Sequence, residues 1–376
     1  MISGNSVNVC HRLSGVDRIF MFSTYTIFFL LFLFSVPLQA AVILQYHHIA
    51  SSTPASTSIT PDRFVQHLDF IESEGFRVVP LAELLSKESV EISKSSSETK
   101  QSRDKRVAIT FDDGYRSVYA EAYPLLKQRQ WPFTIFVNTG AIDAGSGAVA
   151  TWDQLREMSA NGASIANHSI DHKHLLQRLA GENSAQWRRR VAADINQAEA
   201  RILAEVGQSY RLLAYPYGEY SAKLQLLLKS LGYAAVGQQS GPLAGVHSHQ
   251  ALPRFALGGR YGAVEDFNIK LNALPFPISK VVIRTRQGVA VDGVLDGGAE
   301  PIELNLALSR ALGEVQCFGP VALTTEQSST SLSVNIEAVL PVGRSRINCT
   351  AKHSSGHFYW FSQPFFRPSS SGQWLE

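Results

Sequence analysis

The sequence predicts an α/β fold built on a parallel sheet and followed by a smaller β-rich region, and three observations carry that prediction. Short apolar runs and helical apolar periods alternate from Ala41 to about Val236, the pattern of a parallel sheet covered by helices. Several of the runs end in polar or glycine-bearing turns, where α/β folds build their sites. Near Leu274–Ile278 the helical period stops, Pro275 and Pro277 punctuate, and short β-type segments separated by Gly, Ser and Pro clusters follow.

The elements follow in order. Residues 1–40 read as a signal peptide or N-terminal anchor. Ile19–Val36 is mostly apolar and uncharged, Arg12 and Arg18 precede it, and cleavage is expected after Ala40. The run is long enough to stay in a membrane uncleaved, so membrane association through it is one expectation. In both cases the protein is expected to be exported: periplasmic, extracellular or anchored outside the cytoplasm. Ala41–Tyr46 is a buried strand ending at His47 and His48. Thr60–Phe76 is a helix, with Thr60 as cap, Pro61 in the first turn and Phe64, Leu68 and Ile71 on one face. Arg77–Pro80 is a short strand and Leu81–Leu85 a short helix. Lys87–Lys105 is a Ser/Lys/Glu run without a core, read as a solvated loop.

Arg106–Tyr115, RVAITFDDGY, is the centre of the pattern. Val107, Ala108, Ile109 and Phe111 suit a buried strand, and the run stops at Asp112, Asp113 and Gly114. Adjacent strand-end side chains point in different directions, so two carboxylates there suit two roles, such as metal ligand and base. Ser117–Gln130 is helical, Phe133–Val137 a strand, and Trp152–Ala160 a helix closed by Asn161-Gly162. Asn167–His172, NHSIDH, follows a short apolar stretch and sets His168 and His172 four apart. One carboxylate and two neutral imidazoles are a common ligand set for a catalytic divalent metal. Ala185–Val206 and Ser221–Leu231 are further helices, and Leu213–Gly218, LAYPYG, is a strand entering a Pro-Gly turn.

Composition excludes some classes. A formal net charge of +2 and the lack of a basic stripe interleaved with aromatics give no case for nucleic-acid binding. No CxxC occurs, which argues against a cysteine zinc site. Cys10 would leave with the signal, so Cys317 and Cys349 form an even pair suited to a disulfide in an exported chain.

The three segments TFDDG, HSIDH and YPYG, in this order, resemble the NodB-type polysaccharide deacetylases, carbohydrate esterase family 4, over roughly Ala41–Asp266. The resemblance implies a distorted, incomplete (β/α)7-type barrel over 41–275; the change of texture after it reads as a β-rich C-terminal domain over 276–376, with an immunoglobulin-like sandwich as one form for it. It implies a hydrolase that removes N-acetyl groups from a polysaccharide, holding one divalent metal ion, Zn2+ by default with Co2+ or Ni2+ as options. Asp113, His168 and His172 would be its ligands and Asp112 the general base, with the backbone N–H of Tyr217 facing the oxyanion. His174 departs from the spacing of the pair and reads as a surface or supporting histidine.

Two departures from the family pattern stand out. The arginine that orients the base falls at Ala214, and Arg254 in Leu252-Pro253-Arg254-Phe255 is the substitute expected here. The late L-x-x-H strand carrying the acid is also absent. Leu44-Gln45-Tyr46-His47 has that pattern at the start of the barrel, where first and last strands are neighbours. His47 is therefore the expected general acid, with His48 the alternative. This shifted order resembles the exported deacetylases of biofilm poly-N-acetylglucosamine, which makes that glycan the first substrate expectation, ahead of chitin-type glycans and peptidoglycan. The competing readings are an inactive glycan-binding protein that keeps the fold and metal, and a 2-His-1-carboxylate iron oxygenase.

Overall fold

The computed structural model describes residues 41–85, 105–295 and 301–375; the expected signal or anchor, 1–40, and most of the Ser/Lys loop lie outside them. Eight short strands form one parallel sheet: β1 (Val42–Tyr46), β2 (Arg77–Val78), β3 (Arg106–Phe111), β4 (Phe133–Val137), β5 (Ala163–Asn167), β6 (Leu212–Ala214), β7 (Ala234–Val236) and β8 (Phe255–Ala256). Their order is β8-β1-β3-β4-β5-β6-β7, with β2 added to β3. β1, β4 and β5 are buried at every position, as parallel strands covered on both faces must be.

The sheet curls. The residues leading into β8 run beside β7, where Leu252 donates to the Ala235 carbonyl at 3.0 Å and Gly237 to that of Leu252 at 2.9 Å. β8 in turn pairs with β1, Leu44 opposite Phe255. The first strand therefore lies next to the last, and the strand ends of β1, β3 and β8 open on the same rim.

The helices start where capping chemistry allows. Thr60 accepts from Arg63 N ahead of Pro61–Ser73. Thr151 with Gln154, and Asn183 with Gln186, form capping boxes before Trp152–Ala160 and Ser184–Val206. Phe64, Leu68 and Ile71 bury the inner face of the first helix. Ser117–Gln130, expected as one helix, divides into a π-helical segment, Val118–Ala122, and an α-helix, Tyr123–Gln128, with Pro124 at the junction. Proline cannot donate to the turn before it, which breaks the regular ladder there.

The C-terminal region holds two sheets over a shared core that includes Leu304, Val334, Ile347 and Phe365. One joins Leu274–Pro275, Phe358–Arg367, Gly343–Lys352 and Val315–Phe318; the other joins Ala290–Val291, Ile278–Thr285, Ile302–Leu308, Ser331–Ile336 and Leu323–Gln327. Cys317 and Cys349 form the expected disulfide. They sit opposite each other on neighbouring strands of one sheet, whereas the immunoglobulin disulfide joins two sheets. Ala290–Val291 is a strand of only two residues. Among the strands that escaped the sequence reading are Val315–Phe318, Leu323–Gln327 and Gly343–Lys352. Their outward positions carry Glu, Gln, Arg and Asn, which hide a period-2 signal.

Candidate active site

Strand ends assemble the site. Tyr46 pairs with Phe111, so His47 and Asp112 leave adjacent strands together. Asp112 donates its N–H to the Tyr46 carbonyl at 2.9 Å, and its side chain is fully buried. Arg254 donates from Nη1 and Nη2 to the two oxygens of Asp112, each at 2.7 Å, and is itself fully buried. This fork-to-carboxylate geometry is the strong, directional form of the pair. Further bonds lock the guanidinium: Nε donates to the Gly237 carbonyl at 2.9 Å and Nη1 to Thr110 Oγ1 at 3.1 Å. Gln45 donates a third hydrogen bond to Asp112, at 2.7 Å. Burial alone would raise the Asp112 pKa, but the Arg254 charge and hydrogen bonds outweigh it and hold the carboxyl below its usual value.

Asp113 points elsewhere. It has a left-handed φ of 69°, and its Oδ1 lies 3.2 Å from His168 Nε2 and 3.5 Å from His172 Nε2. One donor atom from each of the three lies within 4.8 Å of the others. His168 Nδ1 is 2.8 Å from the Ala214 carbonyl oxygen, which only accepts, so Nδ1 carries the proton. In the neutral ring Nε2 then turns a lone pair towards a carboxylate oxygen. Two electron-rich atoms at that separation suit a cation between them, and backbone anchoring of the far nitrogen is how metal-ligating imidazoles are held. The residues therefore fit a divalent ion.

The loop carrying both histidines is tied down locally. Asn167 Oδ1 accepts from Ser169 N, and Asn167 Nδ2 donates to Ile195 O and Glu199 Oε2. Ser169 Oγ accepts from His172 N at 3.0 Å. Ser169 and His172 have φ of 68° and 54°, strain of the kind concentrated at functional sites.

Tyr217 also lies in left-handed backbone, φ 57°, inside the turn that closes with Gly218 N donating to Tyr215 O at 2.8 Å. A Cβ on Gly218 would stand 2.7 Å from Gln238 Cγ, so the turn needs glycine at φ 72°. The Tyr217 ring approaches His172 at 4.4 Å and stacks on His174 at 4.0 Å. His174 pairs with buried Glu219 at 2.8 Å, which gives it a supporting place beside the turn. His47 falls within the electrostatic reach of Asp112, Asp113 and His168; burial lowers its pKa against the opposing pull of the two carboxylates. His48 stacks on Tyr115, ring centroids 3.5 Å apart.

All seven sequence-predicted site residues, Asp112, Asp113, His168, His172, His47, Tyr217 and Arg254, thus gather on one rim. Gln45 and Tyr115 were missed. Gln45 sits inside the LQYH segment, where only the histidine drew attention. Tyr115 follows the DDG turn, and its phenol pKa is raised by burial and by the neighbouring Asp113 carboxylate.

A curled parallel sheet with a paired-carboxylate, two-histidine rim defines the class, and comparison with known proteins narrows it. Residues 99–236 match the sequence model of the polysaccharide deacetylase family. YxkH of Bacillus subtilis, named for the same family, is 30% identical over 193 residues, 51% of this chain and 61% of its own. The poly-beta-1,6-N-acetyl-D-glucosamine N-deacetylase of Escherichia coli is 27% identical over 184 residues, 40% of this chain and 27% of its own. The chain thus spans less than two thirds of these relatives. Among solved structures, the Streptococcus pyogenes deacetylase PplD in complex with acetate is similar in fold, with a TM-score of 0.53 and 24% identity over 63% of this chain and 99% of its own. IcaB from Ammonifex degensii superposes with a TM-score of 0.50 at 23% identity, with the same coverage.

Proposed function

We propose that the protein is an exported, metal-dependent N-deacetylase acting on N-acetylhexosamine units of a polysaccharide, with poly-β-1,6-N-acetylglucosamine as the first substrate. The observation that carries this reading is the convergence of Asp113, His168 and His172 next to an Asp112 held anionic by Arg254. The names of the Escherichia coli relative and its counterparts support the choice of glycan.

A divalent ion held by Asp113, His168 and His172 would supply Lewis acidity, lowering the pKa of a water towards ~7 and polarising the acetamide carbonyl. Zinc is the default for these ligand types, with cobalt and nickel as alternatives. Asp112 stays ionised, is oriented by Arg254 and Gln45, and takes the proton of the attacking water. The Tyr217 N–H faces the developing oxyanion. His47, at the end of the neighbouring parallel strand, gives the leaving amine its proton. An inactive glycan-binding protein draws its support from the arginine missing at Ala214; the two hydrogen bonds from Arg254 to Asp112 speak against it.

The test is acetate release by the mature protein from poly-N-acetylglucosamine, chitin oligomers and peptidoglycan, with and without chelator, beside Asp112→Asn. Chelator-sensitive release abolished in the variant is the expected result. No release from any of these glycans by folded, metal-loaded protein would favour the binding protein instead.

A further inference from the structure

A cavity of about 580 Å³ lies between residues 240–270 of the α/β region and the strand Gly343–Lys352 with its neighbours, within the size range of small-molecule sites. Period 2 along that strand puts Arg344, Arg346 and Asn348 on one face. Facing them are Arg260 and Lys270, so the lining counts four cations against one carboxylate, Asp266.

Arg344 has a carboxylate partner, Glu219 at 3.5 Å; among the described residues the other three do not. Arg346 donates to the Gln238 carbonyl at 2.6 Å. Burial lowers the Arg346 pKa and brings that of Lys270 down to about 8. Lys270 is buried and Arg346 half-buried, whereas Arg260 and Arg344 are exposed at the rim. Burying cations without counter-charge is costly, and a site that keeps two of them is suited to an anion. Three buried polar atoms of the same lining, Ser345 Oγ, Asn348 Oδ1 and Trp360 Nε1, also lack a hydrogen-bond partner among the described residues. Unsatisfied groups of this kind are uncommon in a finished core.

The remaining surface is aromatic. Phe318 and Tyr261 are each 49% exposed at the cavity, with Trp360 beside them. Flat apolar faces next to forked cations can receive a pyranose ring and its charged substituent together. Arg344 connects the cavity to the site, since its guanidinium lies 5.1 Å over the Tyr217 ring.

We propose that this cavity binds a saccharide carrying an oxyanion, a carboxylate or a phosphate, with Arg346, Arg260 and Lys270 on the anion and Phe318 and Tyr261 against the ring. As a binding site it stands apart from catalysis; as a subsite for an acidic unit of the substrate glycan it rests on the deacetylase reading.

The test is calorimetric titration of the full mature chain with digalacturonate, glucose 6-phosphate, inorganic phosphate and neutral N,N′-diacetylchitobiose. The acidic saccharides should bind at least about tenfold more tightly than the neutral one, and Arg346→Gln should weaken them about tenfold or more. Phe318→Ala, on an exposed side chain, should weaken the acidic saccharides and leave inorganic phosphate unchanged. Preference for digalacturonate or for glucose 6-phosphate decides which oxyanion the pocket takes. Equal binding of the neutral sugar, no binding of either acidic one, or indifference to both substitutions in variants of wild-type melting temperature would overturn the proposal. Binding of inorganic phosphate alone would overturn it too, by removing the sugar. Acetate release is measured separately, so binding without release sinks only the catalytic reading, and release without binding only the pocket.

Discussion

Arg254 and Asp112 stand 142 residues apart in the chain, yet meet through two parallel hydrogen bonds of 2.7 Å, neither residue having any exposed surface. The pair spans the join between the last strand and the centre of the sheet. Removing one partner of such a pair leaves a buried, uncompensated charge, which costs on the order of 3–5 kcal/mol. Arg254→Ala is therefore expected to lower the melting temperature and to cut acetate release by about 100-fold or more, since the base loses both orientation and ionisation. Arg254→Lys keeps the charge without the fork and should fall between the two. Wild-type turnover and stability in Arg254→Ala would refute the assignment.

Metal content should separate the adjacent carboxylates. Asp113→Ala and His168→Ala are expected to lose the bound ion, because three converging donors become two. Asp112→Asn should retain it while losing turnover. Elemental analysis by mass spectrometry of the purified variants checks both, and chelated wild type should regain activity with Zn2+, Co2+ or Ni2+. If Asp112→Asn also emptied the site, the two roles would have to be exchanged or merged.

The acid can be tested against its neighbour. His47 leaves the strand beside Asp112, whereas His48 stacks on Tyr115. His47→Ala is expected to reduce turnover by roughly 10²–10⁴-fold, the usual contribution of a positioned proton donor, with metal content intact. His48→Ala should have a much smaller effect. Loss of metal in His47→Ala would instead make it a ligand.

The α/β alternation was legible because buried parallel strands are continuous apolar runs, as in VILQY and FTIFV. The candidate ligands were legible because their spacing is local: two adjacent aspartates, and two histidines four apart. Arg254 was reachable only by asking what replaces a missing arginine, since no local pattern links position 254 to Asp112. Gln45 was not legible at all. An inward glutamine between Leu44 and Tyr46 looks like any strand residue until the register of β1 on β3 sets Gln45 opposite Thr110 and near Asp112. The outer strands of the C-terminal sheets escaped for the opposite reason: half of each is solvated, so its apolar signal is too short.

Stability should also carry the mark of a histidine remote from the metal ligands. His67 is fully buried, stacked on Phe267 at 4.0 Å, with Nε2 3.0 Å from the Gly262 carbonyl. That carbonyl only accepts, so Nε2 carries the proton and Nδ1 accepts from the Tyr46 hydroxyl at 3.1 Å. Burial, with the charges of Lys270 and Arg63 adding to it, pushes the His67 pKa down to about 4. In the unfolded chain the ring titrates near its ordinary value of 6.5. Between these values the unfolded state binds the proton and the folded state does not. Stability therefore falls as the pH drops through 6.5, and the loss levels off below about 4. The full difference corresponds to about 3 kcal/mol. His67→Gln removes this titration, so the stability advantage of wild type over the variant should shrink by that amount between pH 7 and pH 4. Denaturant melts of both proteins across this range measure it; parallel stability curves would mean that His67 accepts its proton in the folded state.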